Sequence, residues 1–174
     1  MDDSPPSLAV RVICRAVGNP WSGTTKLPDA TPSRLNGMPS WLLSQTSVHA
    51  HRLLSQALAA VGFIGYHYRL LAALEELGPA SQAALGRRTG IDRSDVVAAL
   101  NDLAGRGLVQ RSPDPADRRR NIITITPAGT EQLRLLDRVL AGVQDQLLAS
   151  LSPTERKQLT RLLTRVLEHH TKRE

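Results

Sequence analysis

Leu43, Ala50, Leu53, Leu54, Ala57, Leu58 and Val61 recur at three- and four-residue intervals. That spacing predicts an amphipathic helix over about 39–61, with Ser40 as its N-cap. Leu70, Leu71, Leu74 and Leu77 predict a second helix over about 65–77, stopped by Gly78. A short helix follows over 81–89, capped by Ser81 and ended by Gly90. Asp92 then caps a helix that runs to Arg106 and stops at Gly107, with Val96, Leu100 and Leu103 as its buried stripe. Two helices joined by a tight glycine-containing turn read as a helix-turn-helix unit.

The period then changes. Leu108–Arg111 reads as a short strand, and Ser112-Pro113-Asp114-Pro115-Ala116-Asp117 is a turn by composition. Asn121–Thr126 alternates, with Ile123 and Ile125 on one face. The pattern predicts a two-stranded hairpin with Arg118, Arg119 and Arg120 at its tip. Thr126-Pro127 starts another helix, carried by Leu133, Leu136, Leu140, Val143, Leu147 and Leu151. Ser152-Pro153-Thr154-Glu155 is a capping box that opens a last helix with Leu159, Leu162, Leu163, Val166 and Leu167. Residues 1–39 are rich in Pro, Gly and Ser and read as a loosely ordered arm; only Leu8–Cys14 there could form a short element.

Composition narrows the picture. Apolar residues are 41% and charged residues 22%, ordinary globular usage, while aromatics are only 3%. A core of Leu, Ala and Val favours helices. The 174 residues suit one domain with a tail. The net charge is +6, and almost all of the positive charge is Arg; the lysines are Lys26, Lys157 and Lys172. Arginine makes forked contacts to phosphate and guanine, so this balance suits an anionic polymer, with a membrane surface or plain solubility as the alternatives that charge alone leaves open. A single Cys14 excludes an internal disulfide and a Cys-rich zinc site within one chain. No uncharged apolar run is long enough to span a membrane, and no secretory signal is visible, so a cytoplasmic, nucleoid-associated protein is expected.

The helix-turn-helix and the basic hairpin carry the chemistry. The second helix of the pair offers Arg93, Ser94, Asp95, Val97, Ala98 and Asn101 opposite its core stripe. Arg93 can donate two hydrogen bonds to guanine, and Asn101 can pair with adenine or hold a phosphate. Val97 and Ala98 suit thymine methyl groups. Ser81 and Gln82, at the start of the first helix of the pair, join the expected DNA contacts. Three adjacent arginines on a turn repel one another and make sense against phosphate or a narrow minor groove. Asp117 stands close enough to brace one of them. RNA is disfavoured because these elements lack stacking aromatics.

The stretch Gly78–Gly129 resembles the winged-helix core of the MarR family. It includes Gly-Pro-Ala-Ser-Gln-Ala-Ala-Leu-Gly, Leu-Ala-Gly-Arg-Gly-Leu-Val-Gln-Arg and Asp-Arg-Arg-Arg-Asn-Ile-Ile-Thr-Ile-Thr-Pro-Ala-Gly. The family's wing carries an Asp-x-Arg element, matched by Asp117-Arg118-Arg119. The resemblance covers about residues 40–170 and implies a mainly α winged helix-turn-helix with a two-stranded β-wing and a helical dimerisation region. It implies a homodimeric transcription regulator, commonly a repressor; many members of the family release DNA when a small phenolic or other anionic ligand binds, or when a cysteine is oxidised. The implied plan is an arm over 1–39, a dimerisation helix over 40–64, the DNA-binding domain over 65–129 and C-terminal dimerisation helices over 130–174. Leu-rich stripes on the first and last helices agree, because a small winged-helix core cannot cover them. Leu136 and Leu163 are expected in that interface. A two-fold dimer implies a near-palindromic operator of double-stranded DNA.

In the family the ligand pocket lies between the dimer helices and the DNA-binding lobe. Trp41, His49 and Arg52, with Tyr66, His67 and Tyr68, place most of the aromatics and a cation there; packing of the lobe junction is the alternative use of these side chains. Cys14 lies outside the position used by the family's redox branch. His49, His51, His169 and His170 do not form a ligand set, so no metal or other cofactor is expected. A second functional reading is a small-molecule-binding dimer that acts through protein contacts without operator recognition, because Asp95, Asp102 and Asp114 near the DNA face oppose phosphate. No nucleophile–base pair, Gly-rich phosphate loop or paired carboxylates support an enzyme.

Overall fold

The computed structural model describes residues 32–113 and 121–172. Its elements in chain order are α1 (Ser33–Asn36), α2 (Pro39–Ala60), α3 (Gly65–Leu77), β1 (Ala80–Ser81), α4 (Gln82–Thr89) and α5 (Arg93–Gly105). They continue with β2 (Val109–Pro113), β3 (Asn121–Ile125), α6 (Pro127–Leu147) and α7 (Pro153–Thr171). The chain divides into two compact units, Met1–Leu53 and Leu54–Glu174.

In the first unit, α1 is a single turn that the proline-rich reading of 1–39 did not anticipate. Leu8–Cys14 and the rest of the arm before residue 32 lie outside the described residues. Pro39 occupies the first position of α2, and the Leu42 N–H reaches the Met38 carbonyl, so Ser40 lies inside the first turn rather than capping it. Proline is well placed there because a first-turn N–H has no helical partner.

The second unit holds the core. Leu58, Phe63, Leu70, Leu71, Leu74, Leu85, Val96, Leu100, Leu103, Ile123, Leu133 and Leu136 are all buried in one cluster. Local signals set the helix ends. The Ser81 hydroxyl accepts the Ala84 N–H at the start of α4, and Thr126 does the same for Gly129 in α6. Ser152 and Glu155 form the expected capping box of α7. Asp92 occupies the cap position of α5, but its carboxylate accepts no hydrogen bond from the first turn. Between α4 and α5, Gly90 turns the chain with φ +61°, a conformation that costs a side-chain-bearing residue strain.

The hairpin is larger than the sequence suggests. β2 pairs antiparallel with β3 in the register Val109↔Ile125, Arg111↔Ile123 and Pro113↔Asn121. β1 adds to the other edge of β3, with Ala80 opposite Ile123, giving the strand order β1-β3-β2. The two-stranded wing is therefore rooted in a three-stranded sheet whose central residue, Ile123, is fully buried.

The α6 helix packs on this lobe. The Thr130 hydroxyl donates to Glu75 of α3 at 2.9 Å, and the Tyr68 hydroxyl donates to Asp137 at 3.0 Å. Leu136 is fully buried in the core, not at a free interface as expected from the spacing. By contrast, α7 buries no residue: Leu162, Leu163, Val166 and Leu167 are 43%, 41%, 50% and 65% exposed.

Candidate nucleic-acid interface

The helix-turn-helix is α4, the Gly90-Ile91-Asp92 turn and α5. Ile91 plugs into the core, and the Ile91 N–H returns to the Gly86 carbonyl, which fixes the angle between the two helices. On α5, Val96, Ala99, Leu100 and Leu103 point inward. Arg93, Ser94, Val97, Ala98 and Asn101 stand exposed on the other side, while Asp95 is half-buried. Helical geometry puts Arg93, Val97 and Asn101 on one row, because positions four apart share a face.

A surface depression of about 700 Å³ runs between α4 and α5, lined by Gln82, Arg87, Asp92, Arg93 and others. Gln82 and Arg93, both expected among the DNA contacts, line the same depression. Arg87 is a cation that reading overlooked, because its place near the end of α4 said only that a helix was ending. Ser81 spends its hydroxyl on the α4 cap. Asp117, Arg118, Arg119 and Arg120 lie outside the described residues.

Arg111 was also missed. Its Nη2 donates to Asn101 Oδ1 at 2.7 Å, joining the hairpin to the exposed row of α5. The alternation of β2 accounts for its direction. Val109 is buried, and Arg111, two residues on, projects from the same face of the sheet beyond the core.

The acid at Asp102 does not confront the groove. Its carboxylate lies 2.9 Å from Arg106 Nη2 and 3.2 Å from His67 Nε2. Arg106 also donates to the Gly62 carbonyl at 2.8 Å and stacks its guanidinium 4.8 Å from the Phe63 ring centre. Phe63 meets His67 edge-on at 5.8 Å. This network ties the last turn of α5 to the segment that leads into α3.

His67 is committed to that network. Its Nδ1 accepts the Ile64 N–H at 3.4 Å, which leaves Nε2–H to donate to Asp102. Burial lowers its pKa below the ordinary 6.5; the Asp102 carboxylate opposes that shift and Arg106 adds to it. Above 6.5 both folded and unfolded chains carry a neutral His67. As pH falls below 6.5, the unfolded chain binds a proton that the folded chain resists, so stability is lost. Urea midpoints measured at about pH 7.5 and about pH 5.5 should fall in the wild type and fall less in His67→Gln. An identical drop in both proteins would remove His67 from the pH response.

The other residues expected around a ligand are differently placed. In the first unit, Trp41 and His49 are half-buried, and Arg52 stands 3.5 Å from His49 Nδ1. In the second unit, Tyr66 is 37% exposed and Tyr68 is bonded to Asp137. Among the described residues no cluster of three His, Cys, Asp or Glu could hold a metal ion, and no single helix is long and apolar enough to cross a membrane.

The model of the MarR family matches residues 61–120. The chain is similar to the HTH-type transcriptional repressor NicR of Pseudomonas putida, with 29% identity over 71% of this chain and 75% of that protein. A solved structure of a "probable transcriptional regulator" from Pseudomonas aeruginosa is 32% identical. It matches 76% of this chain and 99% of its own length, with a TM-score of 0.67. The PcaV transcriptional regulator of Streptomyces coelicolor, solved in complex with its natural ligand, is 26% identical over 80% of this chain and 98% of its own, with a TM-score of 0.64. Sequence, helical content and the small antiparallel sheet agree with these regulators rather than with any enzyme, and the chain belongs to the MarR family of winged helix-turn-helix transcription regulators.

Proposed function

We propose that the protein is a homodimeric repressor that reads a near-palindromic operator and leaves it when a small phenolic or other anionic ligand binds. The observation that carries the DNA reading is the exposed Arg93–Val97–Asn101 row, standing opposite the core stripe with Arg87 beside its start and Arg111 beside its end. A helix so presented fits the major groove, where arginine reads guanine and small apolar groups meet thymine methyls. In this reading Ser94, Ala98 and Gln82 share the surface, and Arg118, Arg119 and Arg120 of the wing meet the backbone or minor groove, braced by Asp117. The alternative of a dimer without operator recognition draws on opposing acids. Asp102 does not supply that opposition, because Arg106 and His67 hold its carboxylate.

Dimerisation is supported by the apolar face of α7, which a single chain leaves open to water. Residues 65–129 would then serve DNA, and 40–64 with 130–174 would serve assembly. The ligand part of the reading is supported by the solved PcaV complex. The residues proposed for it are Trp41, His49 and Arg52 in the first unit and Tyr66, His67 and Tyr68 in the second, each group taken by itself. The proposed place of work is the cytoplasm, on the nucleoid.

The test separates base reading from backbone contact. Arg93→Ala should weaken binding to the operator by about 1–3 kcal/mol and flatten preference at one base pair per half-site. Arg119→Ala should weaken all duplexes more evenly, by about 1–3 kcal/mol if it enters the minor groove. Both are measured on operator, single-base variants and random duplex at one fixed salt. Equal losses for Arg93→Ala on operator and random duplex would make Arg93 a phosphate anchor.

A further inference from the structure

We infer that Arg111 is a positioning residue for DNA recognition: it turns the Asn101 carboxamide so that only its N–H donors face the DNA, which makes Asn101 a reader of acceptor atoms and not of adenine. The inference rests on the DNA-binding reading and sharpens it.

The chemistry follows from one contact. A guanidinium has donors and no acceptor, so the amide atom it meets must be the oxygen. Arg111 Nη2 lies 2.7 Å from Asn101 Oδ1, the length of a charge-assisted bond. The Asn101 side chain is exposed, and its Nδ2 carries the two remaining N–H groups. Adenine would require Oδ1 to accept from N6 while Nδ2 donates to N7 in the same plane. The guanidinium already holds that oxygen, and the adenine amino group would approach it as a second donor beside a positive charge.

What the pair offers instead is a cluster of donors. Arg111 keeps its other guanidinium N–H groups, and Asn101 keeps Nδ2. Acceptors on duplex DNA that fit are a phosphate oxygen, guanine O6, thymine O4 or the N7 of either purine, and N7 alone does not single out adenine. Asn101 lies eight residues from Arg93 on the same face, about 12 Å along the axis. The pair therefore extends the row at the end nearer the hairpin, where β2 leads into the wing.

The probe is a pool of duplexes randomised over their central segment, with the best-bound wild-type sequence then used for affinity at one fixed salt. Arg111→Met should weaken the wild type roughly tenfold, the worth of one charged hydrogen bond. In the Asn101→Ala background the same substitution should cost at least about threefold less than in the wild type, because only the contacts that Arg111 makes by itself remain to be lost. Asn101→Asp keeps the bond to Arg111 but replaces the outward donor by an oxygen, so it should bind more weakly than Asn101→Ala. Both positions are exposed, and unchanged thermal melting confirms intact folding of each variant.

Sequencing the bound pools separates the two acceptor sources. Loss of a guanine or thymine preference at one position per half-site in Asn101→Ala supports a base acceptor. Loss of affinity without a change of preference supports phosphate. The inference is overturned if Arg111→Met costs the same in both backgrounds, if Asn101→Asp binds as well as wild type, or if Asn101→Ala abolishes a preference for adenine. A wild-type protein that retains no duplex at all would instead overturn the DNA-binding reading itself.

Discussion

Gly129→Ala is expected to cost about 3 kcal/mol or more, enough to leave little of an ordinary domain's stability. The position needs glycine for space and not for backbone freedom. A Cβ there would overlap the Leu108 carbonyl oxygen and stand 2.7 Å from Ile125 Cγ1. Neither neighbour can retreat cheaply. The Leu108 carbonyl accepts the Thr126 N–H at 3.0 Å, and the Leu108 N–H donates to Leu103 at 2.9 Å. Thr126 in turn donates its hydroxyl to Gly107 at 2.8 Å. The first turn of α6 is thus clamped onto the junction of α5 and β2. Urea unfolding followed by circular dichroism measures the effect, and a variant within about 0.5 kcal/mol of wild type would show that this close approach is not required.

Two leucines on the C-terminal helices should respond in opposite ways to the same substitution. Leu136 is fully buried in the winged-helix core, so Leu136→Asp places an unpaired carboxylate among apolar side chains and should unfold the lobe, at a cost above about 4 kcal/mol. Leu163 is 41% exposed on α7, so Leu163→Asp should leave the single chain folded and split the proposed dimer. Sedimentation velocity and circular dichroism on the two variants separate these outcomes. A wild-type protein that sediments as a stable monomer at micromolar concentration would end the dimer proposal and the two-fold operator with it.

The residues that announced themselves in the sequence act on near neighbours. Thr126-Pro127 and the Ser152–Glu155 box set helix starts within one turn, and both do so in the fold. The stripe Val96, Leu100 and Leu103 repeats at the helix period, which fixes the exposed row by elimination. What stayed hidden depends on distant partners. β1 is two residues long and exists because Ala80 and Ser81 meet β3 some forty positions later. Arg111 looked like any strand-end arginine, since nothing local points it at Asn101. The bonds of His67 were equally hidden: nothing local pairs its Nε2 with Asp102, thirty-five positions later, although the Ile64 N–H that meets its Nδ1 is close in the chain. Leu136 and Leu163 share the same apolar spacing, and only the packed lobe distinguishes the one it covers.

The bonds that gather at Asp102 and Arg106 also set how α5 can move. They all grip the final turn of the helix, whereas Arg93 stands at the opposite end, nine residues and roughly 14 Å away. The other end is held as well, by Ile91 in the core and its N–H on the Gly86 carbonyl. Were that second hold released, a tilt of about 5° about the Asp102 turn would carry Arg93 sideways by about 1 Å, enough to break a hydrogen bond to a base edge. Asn101, close to that turn and bonded to Arg111 of the sheet, would travel least.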